Sequence, residues 1–180
     1  YNVGGPKKSI YNFVCNENVN ILPISKNDVN ESVPVDVSMN VTKLNNTLLQ
    51  DVILEMACLN NTLLFKADLY KANLEGAFLD GAFLEGANLD SANLNNTSLR
   101  DANFRKATLT NAYIIYADLF DANLAYANLT EATLECSNLS GADFTGANLF
   151  EANLASTNLK QTNFNNVNLA NSKLDCTNLS

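Results

Sequence analysis

The stretch 72-ANLEGAFLDGAFLEGANLDSANL-94 repeats Ala-Asn-Leu, or a close variant of it, in steps of five residues. The same register runs from Leu44 to Leu179, where every fifth residue is large and apolar. These 28 central positions hold 24 Leu, three Phe and one Ile. The residue two before each central position is always small or β-branched: Ala 17 times, Thr seven times, and Ser or Val at the other four. The residue between them is Asn or Asp in 16 of the 28 copies, so one strict period organises residues 42–180.

A period of five fits neither an amphipathic helix nor a half-buried strand, whose periods are 3.6 and 2. It does fit one side of a four-sided coil, in which a short extended stretch is followed by a tight corner. On an extended backbone, residues two apart point the same way. We therefore expect the small and central residues to face the axis, the residue between them to face water, and the next two residues to turn the corner. Glycines such as Gly76 and Gly146 suit such corners.

Four sides per coil place residues twenty apart above one another. The three central Phe, at 104, 144 and 164, are all separated by multiples of twenty, so they should stack on one face. Twenty-eight sides give seven coils, a prism roughly 34 Å long at about 4.8 Å per coil. The predicted core includes Leu74, Leu79, Leu84, Leu89, Leu94, Phe104, Phe144 and Phe164.

Tandem A(D/N)Lxx resembles the pentapeptide-repeat family, and the resemblance covers residues 42–180. It implies an all-β fold, a right-handed quadrilateral parallel β-helix (β-solenoid). For function it implies a non-enzymatic structural or protein-interaction module. The alternative that it implies is a DNA mimic that interacts with gyrase, since some members of the family do so as acidic rods. The sequence is richer in central Leu than those members and has no inserted loops.

Residues 1–41 lie outside the strict register and are expected to be a lead and an N-terminal cap. In the first coil, the outward position between the small and central residues is apolar on all four sides. These residues are Leu48, Ile53, Cys58 and Leu63. Outward apolar residues at one end indicate a cover, and residues 10–41 are the nearest candidate.

The other end of the repeat region has no such cover in the sequence, because the register continues to Leu179. Three arrangements are open: a continuing natural chain, a homodimer through the C-terminal end, or a bare end.

Composition limits the chemistry that the chain can carry out. It has no His, a net charge of −8 and a pI near 4.4. We therefore expect no catalytic residues, no cofactor, no metal site and no direct binding to nucleic acid. Outward carboxylates share a column at Glu55, Glu75, Glu135 and Asp175, which is interpreted as a solvated acidic face. No apolar run is long enough for a membrane span, and both a cytoplasmic and an exported location (periplasm or thylakoid lumen) remain open.

Geometry limits the disulfides that the four cysteines could form. Cys136 and Cys176 share a column but lie two coils apart, which is too far for a bond. Cys58 faces outward where the cap should pass, so Cys15–Cys58 is the candidate pair. Free thiols on all four cysteines are the alternative.

Outward aromatic and aliphatic side chains interrupt the polar surface within about one coil. They are Tyr113, Ile115, Tyr116, Phe120 and Tyr126. Such a cluster indicates a surface for a protein partner, whose identity the sequence does not give. The alternative is that these rings lie flat over their neighbours.

Overall fold

A computed structural model describes residues 43–179. The residue before each central position pairs in parallel with the residue twenty positions later, from Lys43 with Leu63 to Asn158 with Asn178. These 24 bridges connect seven coils of four sides. Within residues 43–179 there is no helix, and each strand is a single bridging residue. The predicted four-sided parallel β-helix is confirmed.

The four faces of the prism are numbered in chain order, and each is defined by its first central residue. Face 1 begins with Leu44, face 2 with Leu49, face 3 with Leu54 and face 4 with Leu59, and each continues every twenty residues. The two residues after a central residue form the corner to the next face. Corner 3/4 therefore follows face 3.

The core is a stack of central and small residues along the axis. Leu74, Leu79, Leu84, Leu89 and Leu94 are 0% exposed, as are most of the Ala residues beside them. Phe104 and Phe144 are fully buried as well. Phe164 is half-buried in the last coil, and its ring stacks on that of Phe144 with centroids 5.4 Å apart. Phe104 lies on the same face two coils before Phe144, so the ring stack in residues 43–179 consists of Phe144 and Phe164 alone.

Polar residues at the small position bond to the backbone instead of facing water. The hydroxyls of Thr97 and Thr157 donate to the carbonyls of Leu94 and Leu154, three residues earlier, at 2.6 and 2.7 Å. No buried side-chain N or O atom of residues 43–179 lacks a partner. The period therefore tolerates Thr where Ala is the rule, because the hydroxyl finds an acceptor within its own turn.

The corners have a conformation that the sequence prediction assigned only to glycine. A typical corner is a β-turn closed by a bond such as that from the Ala77 amide to the Leu74 carbonyl, 2.9 Å. The second corner residue has a positive φ at all 27 corners from Asn46 to Cys176, and 22 of these residues are not Gly. None is Val, Ile or Thr, which are the residues that this region of φ disfavours most.

Every amide of a typical side has an acceptor. In Leu74–Phe78, three amides donate to carbonyls of neighbouring coils and one closes the turn. The fifth, at the first corner residue Glu75, donates to the side-chain oxygen of Asn73 at 3.2 Å. This local bond explains why Asn and Asp prevail at the bridging position.

Sides without Asn or Asp at that position use a different acceptor. The amide of Ile115, which follows Tyr113, donates to the side chain of Asn95 one coil earlier, at 2.9 Å. A side chain of the preceding coil is likewise the acceptor for three further amides. These pairs are Phe65 with Asn45, Asp80 with Asn60, and Arg100 with Asp80. The amide of the first corner residue thus has two alternative acceptors, and the sequence can exchange one for the other.

The structure places Leu48, Ile53 and Cys58 in the first coil but Leu63 in the second, because Leu63 pairs with Lys43 of the first coil. These outward apolar residues differ in their exposure. Leu48 is 61% exposed and Ile53 is also exposed, whereas Leu63 is half-buried and Cys58 is buried. Cys58 is disulfide-bonded, so the alternative of four free thiols is wrong at this residue. Cys136 and Cys176 carry free thiols, as expected. The proposed partner Cys15 and the cap of residues 10–41 lie outside the described residues and stay predictions.

Candidate protein-binding face

The structure divides the five outward residues among three corners and one face. Tyr113 lies on face 3, and Ile115 and Tyr116 form corner 3/4 directly after it. Phe120 lies on the next corner, 4/1. Tyr126 lies on corner 1/2, diagonally across the coil from Tyr116. The fold therefore brings Tyr113, Ile115 and Tyr116 together, and these three are called the tyrosine face below.

The rings of Phe120 and Tyr126 are each covered by a cationic side chain of the same chain. The guanidinium of Arg100 lies 5.0 Å from the Phe120 ring centroid, and that of Arg105 lies 5.5 Å from the Tyr126 centroid. The Tyr126 ring also lies against Gly146, where an added Cβ would be 2.8 Å from its ring carbons. For these two residues, the alternative of rings lying over their neighbours describes the structure well.

Tyr113 and Tyr116 are 52% and 66% exposed, and no cation of residues 43–179 lies over either ring. The Tyr116 phenol forms a hydrogen bond with the Cys136 thiol one coil later. This bond, together with the electrostatic interaction with Cys136, raises the pKa of Tyr116 above its ordinary value of 10.0. The phenol therefore stays neutral at physiological pH.

Charge is distributed unevenly around the prism. In residues 43–179, corner 3/4 carries four carboxylates and no Lys or Arg, namely Glu55, Glu75, Glu135 and Asp175. Corner 2/3, on the other edge of face 3, carries Asp51, Asp90, Glu131 and Glu151 with one cation, Lys71. Corner 1/2, which lies opposite corner 3/4, has three cations and one carboxylate, namely Lys66, Arg105, Lys106 and Glu85. Face 3, which carries Tyr113, is thus bordered by acidic residues on both edges.

Neither of the two ion pairs in residues 43–179 involves these border residues. They join Arg100 to Asp118 at 3.3 Å and Arg105 to Glu85 at 3.0 Å. The acidic column was predicted from the sequence, whereas the arginines that cover Phe120 and Tyr126 were not. Their spacing was the available signal, because Arg100 and Phe120 are twenty residues apart and Arg105 and Tyr126 are twenty-one apart.

Residues 43–179 contain no group of three or more Cys, Asp or Glu side chains that could hold a metal ion. The same residues include no helix with the length and hydropathy of a membrane span.

The fold and the surface define a repeat rod with one aromatic, acid-bordered face. The model of the pentapeptide repeats family matches residues 67–105, 87–124, 112–149 and 147–180. The chain belongs to this family, and its fold is the right-handed quadrilateral β-helix. No curated protein sequence matches the chain.

Several solved structures are similar to the chain. HetL from the cyanobacterium Nostoc sp. strain PCC 7120, a pentapeptide repeat protein involved in regulating heterocyst differentiation, is 30% identical over 76% of this chain and 73% of its own, with a TM-score of 0.36. A pentapeptide repeat protein of the Arabidopsis thaliana thylakoid lumen is 26% identical over 63% of this chain and 66% of its own, with a TM-score of 0.25. Trypsin-treated QnrB1, a plasmid-mediated fluoroquinolone resistance protein, is 18% identical over 78% and 90%, with a TM-score of 0.44.

Proposed function

We propose that the chain is a non-enzymatic protein-interaction module whose contact surface is the tyrosine face. The observation that carries the proposal is the exposure of Tyr113 and Tyr116 in mid-prism, where no cation of residues 43–179 covers them. Large exposed aromatic side chains on a rigid scaffold are typical centres of protein contacts. The continuous core beneath them supports this role, because outer residues can vary while the inner residues keep the wall in place.

Site-specific photo-crosslinking tests this function. p-Benzoylphenylalanine replaces Tyr116 in one variant and Tyr126 in a control variant, and each protein is irradiated in an extract of its source. We expect a discrete crosslinked protein from position 116 that is absent from position 126. The purified partner should then bind the unaltered chain and lose affinity for Tyr113→Ser/Tyr116→Ser. Equal crosslinking at both positions, or unchanged affinity of the double variant, would contradict the proposal.

The disulfide at Cys58 supports an exported compartment over the cytoplasm as the place of this function. Disulfides form and persist mainly in oxidising compartments. Fractionation of the source with an antibody against the chain tests the location. Recovery of the protein only in the cytoplasm would contradict it.

A second candidate function, a DNA mimic that interacts with gyrase, has one observation in its favour. Residues 43–179 carry 15 acidic and eight basic residues, a net charge of −7. The cationic corner 1/2 weighs against it, because a duplex presents negative charge all round its axis. A supercoiling assay with purified gyrase separates the two candidates, since inhibition or protection by the chain would favour mimicry.

A further inference from the structure

Residues 43–179 contain two complete sets of an aromatic ring, an arginine and a carboxylate on the outer surface. In the first, Arg100 lies over Phe120 and pairs with Asp118. In the second, Arg105 lies over Tyr126 and pairs with Glu85. Each arginine therefore uses both of its favoured contacts, the face of a ring and a charged oxygen acceptor.

The tyrosine face has the ring and the carboxylates of such a set but no arginine. Tyr113 pairs through its backbone with Thr133 of the next coil. Glu131 and Glu135 flank that threonine, one on each edge of face 3. Neither carboxylate forms an ion pair with a residue of 43–179. The one cation of face 3 in this range is Lys173, three coils beyond Tyr113.

We propose that the tyrosine face binds an arginine-bearing segment of a partner protein, which supplies the missing member of this third set. The partner's guanidinium groups stack on Tyr113 and Tyr116 and pair with Glu131 and Glu135. The proposal rests on the proposed function and adds the chemistry of the partner to it. Charge complementarity carries the choice of occupant, because both edges of face 3 are acidic and no cation of residues 43–179 lies over either ring.

Arginine fits this surface better than lysine for a geometric reason. Its planar guanidinium can lie flat on a phenol ring and still direct N–H groups at a carboxylate beside the ring. An ammonium group makes a point contact and cannot satisfy both partners with the same geometry. The surface should therefore prefer arginine to lysine at equal charge.

Fluorescence anisotropy with short labelled peptides tests the proposal on the full chain. The probes are fluorescein-labelled repeats of Arg-Ser, of Lys-Ser and of citrulline-Ser at equal length. We expect the Arg-Ser peptide to bind most tightly, the Lys-Ser peptide more weakly and the uncharged citrulline peptide not at all. Raising the salt concentration should weaken the Arg-Ser complex.

Matched variants separate a specific face from general attraction to an acidic protein. The double variant Tyr113→Ser/Tyr116→Ser should weaken binding of the Arg-Ser peptide about fivefold to twentyfold, because it removes two ring contacts. Glu131→Gln/Glu135→Gln should weaken it to a similar degree. The controls are Tyr126→Ser and the charge-matched pair Asp101→Asn/Asp121→Asn, which should leave binding unchanged. Thermal melts check that each variant is folded.

Several results would overturn the proposal. One is that the control acidic pair reduces binding as much as the Glu131 and Glu135 pair does. Others are equal affinity for the Arg and Lys peptides, or no binding of the Arg-Ser peptide at about 1 mM. If crosslinking at Tyr116 instead captures a partner that binds through an arginine-free segment, the proposed function stands and the arginine proposal fails.

Discussion

At the scale of the residue, the second corner position decides how closely a side chain may approach the next coil. Gly146 stands one coil after Tyr126, with φ +67, and leaves room for the tyrosine ring. Gly86 has a nearly equal φ of +68, but an added Cβ would meet only the flexible side chain of Lys66, at 3.3 Å. Both glycines carry the same conformational strain on substitution, so a comparison isolates the steric contact.

Gly146→Ala should therefore destabilise the fold more than Gly86→Ala. The strain of a positive φ should cost about 1 kcal/mol at either position, and only position 146 adds a clash with a ring. Thermal or denaturant unfolding measures the difference. Adding Tyr126→Ala to Gly146→Ala should remove the additional loss of stability, because the ring that causes the clash is gone. If the two glycine variants melt alike, the ring does not depend on the space at Gly146.

The inward central residues should give the largest losses of stability. Leu94→Ala should reduce the free energy of unfolding by about 2–5 kcal/mol, because it leaves a cavity in a closely packed stack. Its outward neighbour Asn93 accepts the Asn95 amide and donates to Asn73, but it is only partly buried. Asn93→Ala should cost about 1 kcal/mol by denaturant unfolding. The reverse order of the two costs would contradict the assignment of inside and outside.

At the scale of the element, each side must supply an acceptor for the amide of its first corner residue. Asn95→Ala removes the acceptor of the Ile115 amide and should cost about 0.5–1.5 kcal/mol. Hydrogen exchange at Ile115 should accelerate, whereas the amides of other coils keep their rates. Tyr113→Asn added to this variant should restore protection, since an Asn two residues earlier is the usual acceptor. Failure of this rescue would show that the two acceptors are not interchangeable.

The first coil depends on a covalent link in addition to packing. Cys58 is disulfide-bonded, and we predict that Cys15 is its partner. Peptide mapping under non-reducing conditions should recover the two cysteines in one linked species. Cys58→Ser should lower stability by about 2–4 kcal/mol, and Cys136→Ser, at a free thiol, should not. A free thiol at Cys15, or a link from Cys58 to a second molecule, would refute the pairing.

Much of this architecture follows from the sequence because its period is unbroken. The period places Leu94 inside and Asn93 outside without any knowledge of distant contacts, and the separation of the three central phenylalanines gives the fourfold closure. The positive φ at residues such as Lys66 and Tyr126 was not predicted, because their identities do not indicate it. The aromatic surface was only partly predictable. Whether a ring is exposed depends on its neighbours one coil away, such as Arg105 below Tyr126 and Gly146 above it.

At the scale of the whole molecule, the two ends of the described rod differ. In the last coil, Phe164 and Leu169 are half-buried, Leu174 is exposed and Leu179 is 68% exposed. A homodimer is one of the three arrangements open for this end, and in it a twofold axis would pair the edge with its counterpart in a second copy. Sedimentation velocity should then show a dimer that Leu179→Glu converts to a monomer. Leu48→Glu, at the other end, should leave the dimer intact, and a monomer for the unaltered chain at all concentrations would contradict the pairing.

The twenty-residue closure of each coil also governs how such a rod can change in length. Deleting five residues at a corner would keep every leucine in register with the axis, yet it would rotate all later columns by a quarter turn. If the deletion preceded Tyr113, this residue would no longer lie on the same face as the residues that it joins before the deletion. Deleting twenty residues would shorten the rod by one coil and leave each column aligned. Gain or loss of whole coils therefore preserves a binding surface that spans several of them, whereas gain or loss of a single side divides it.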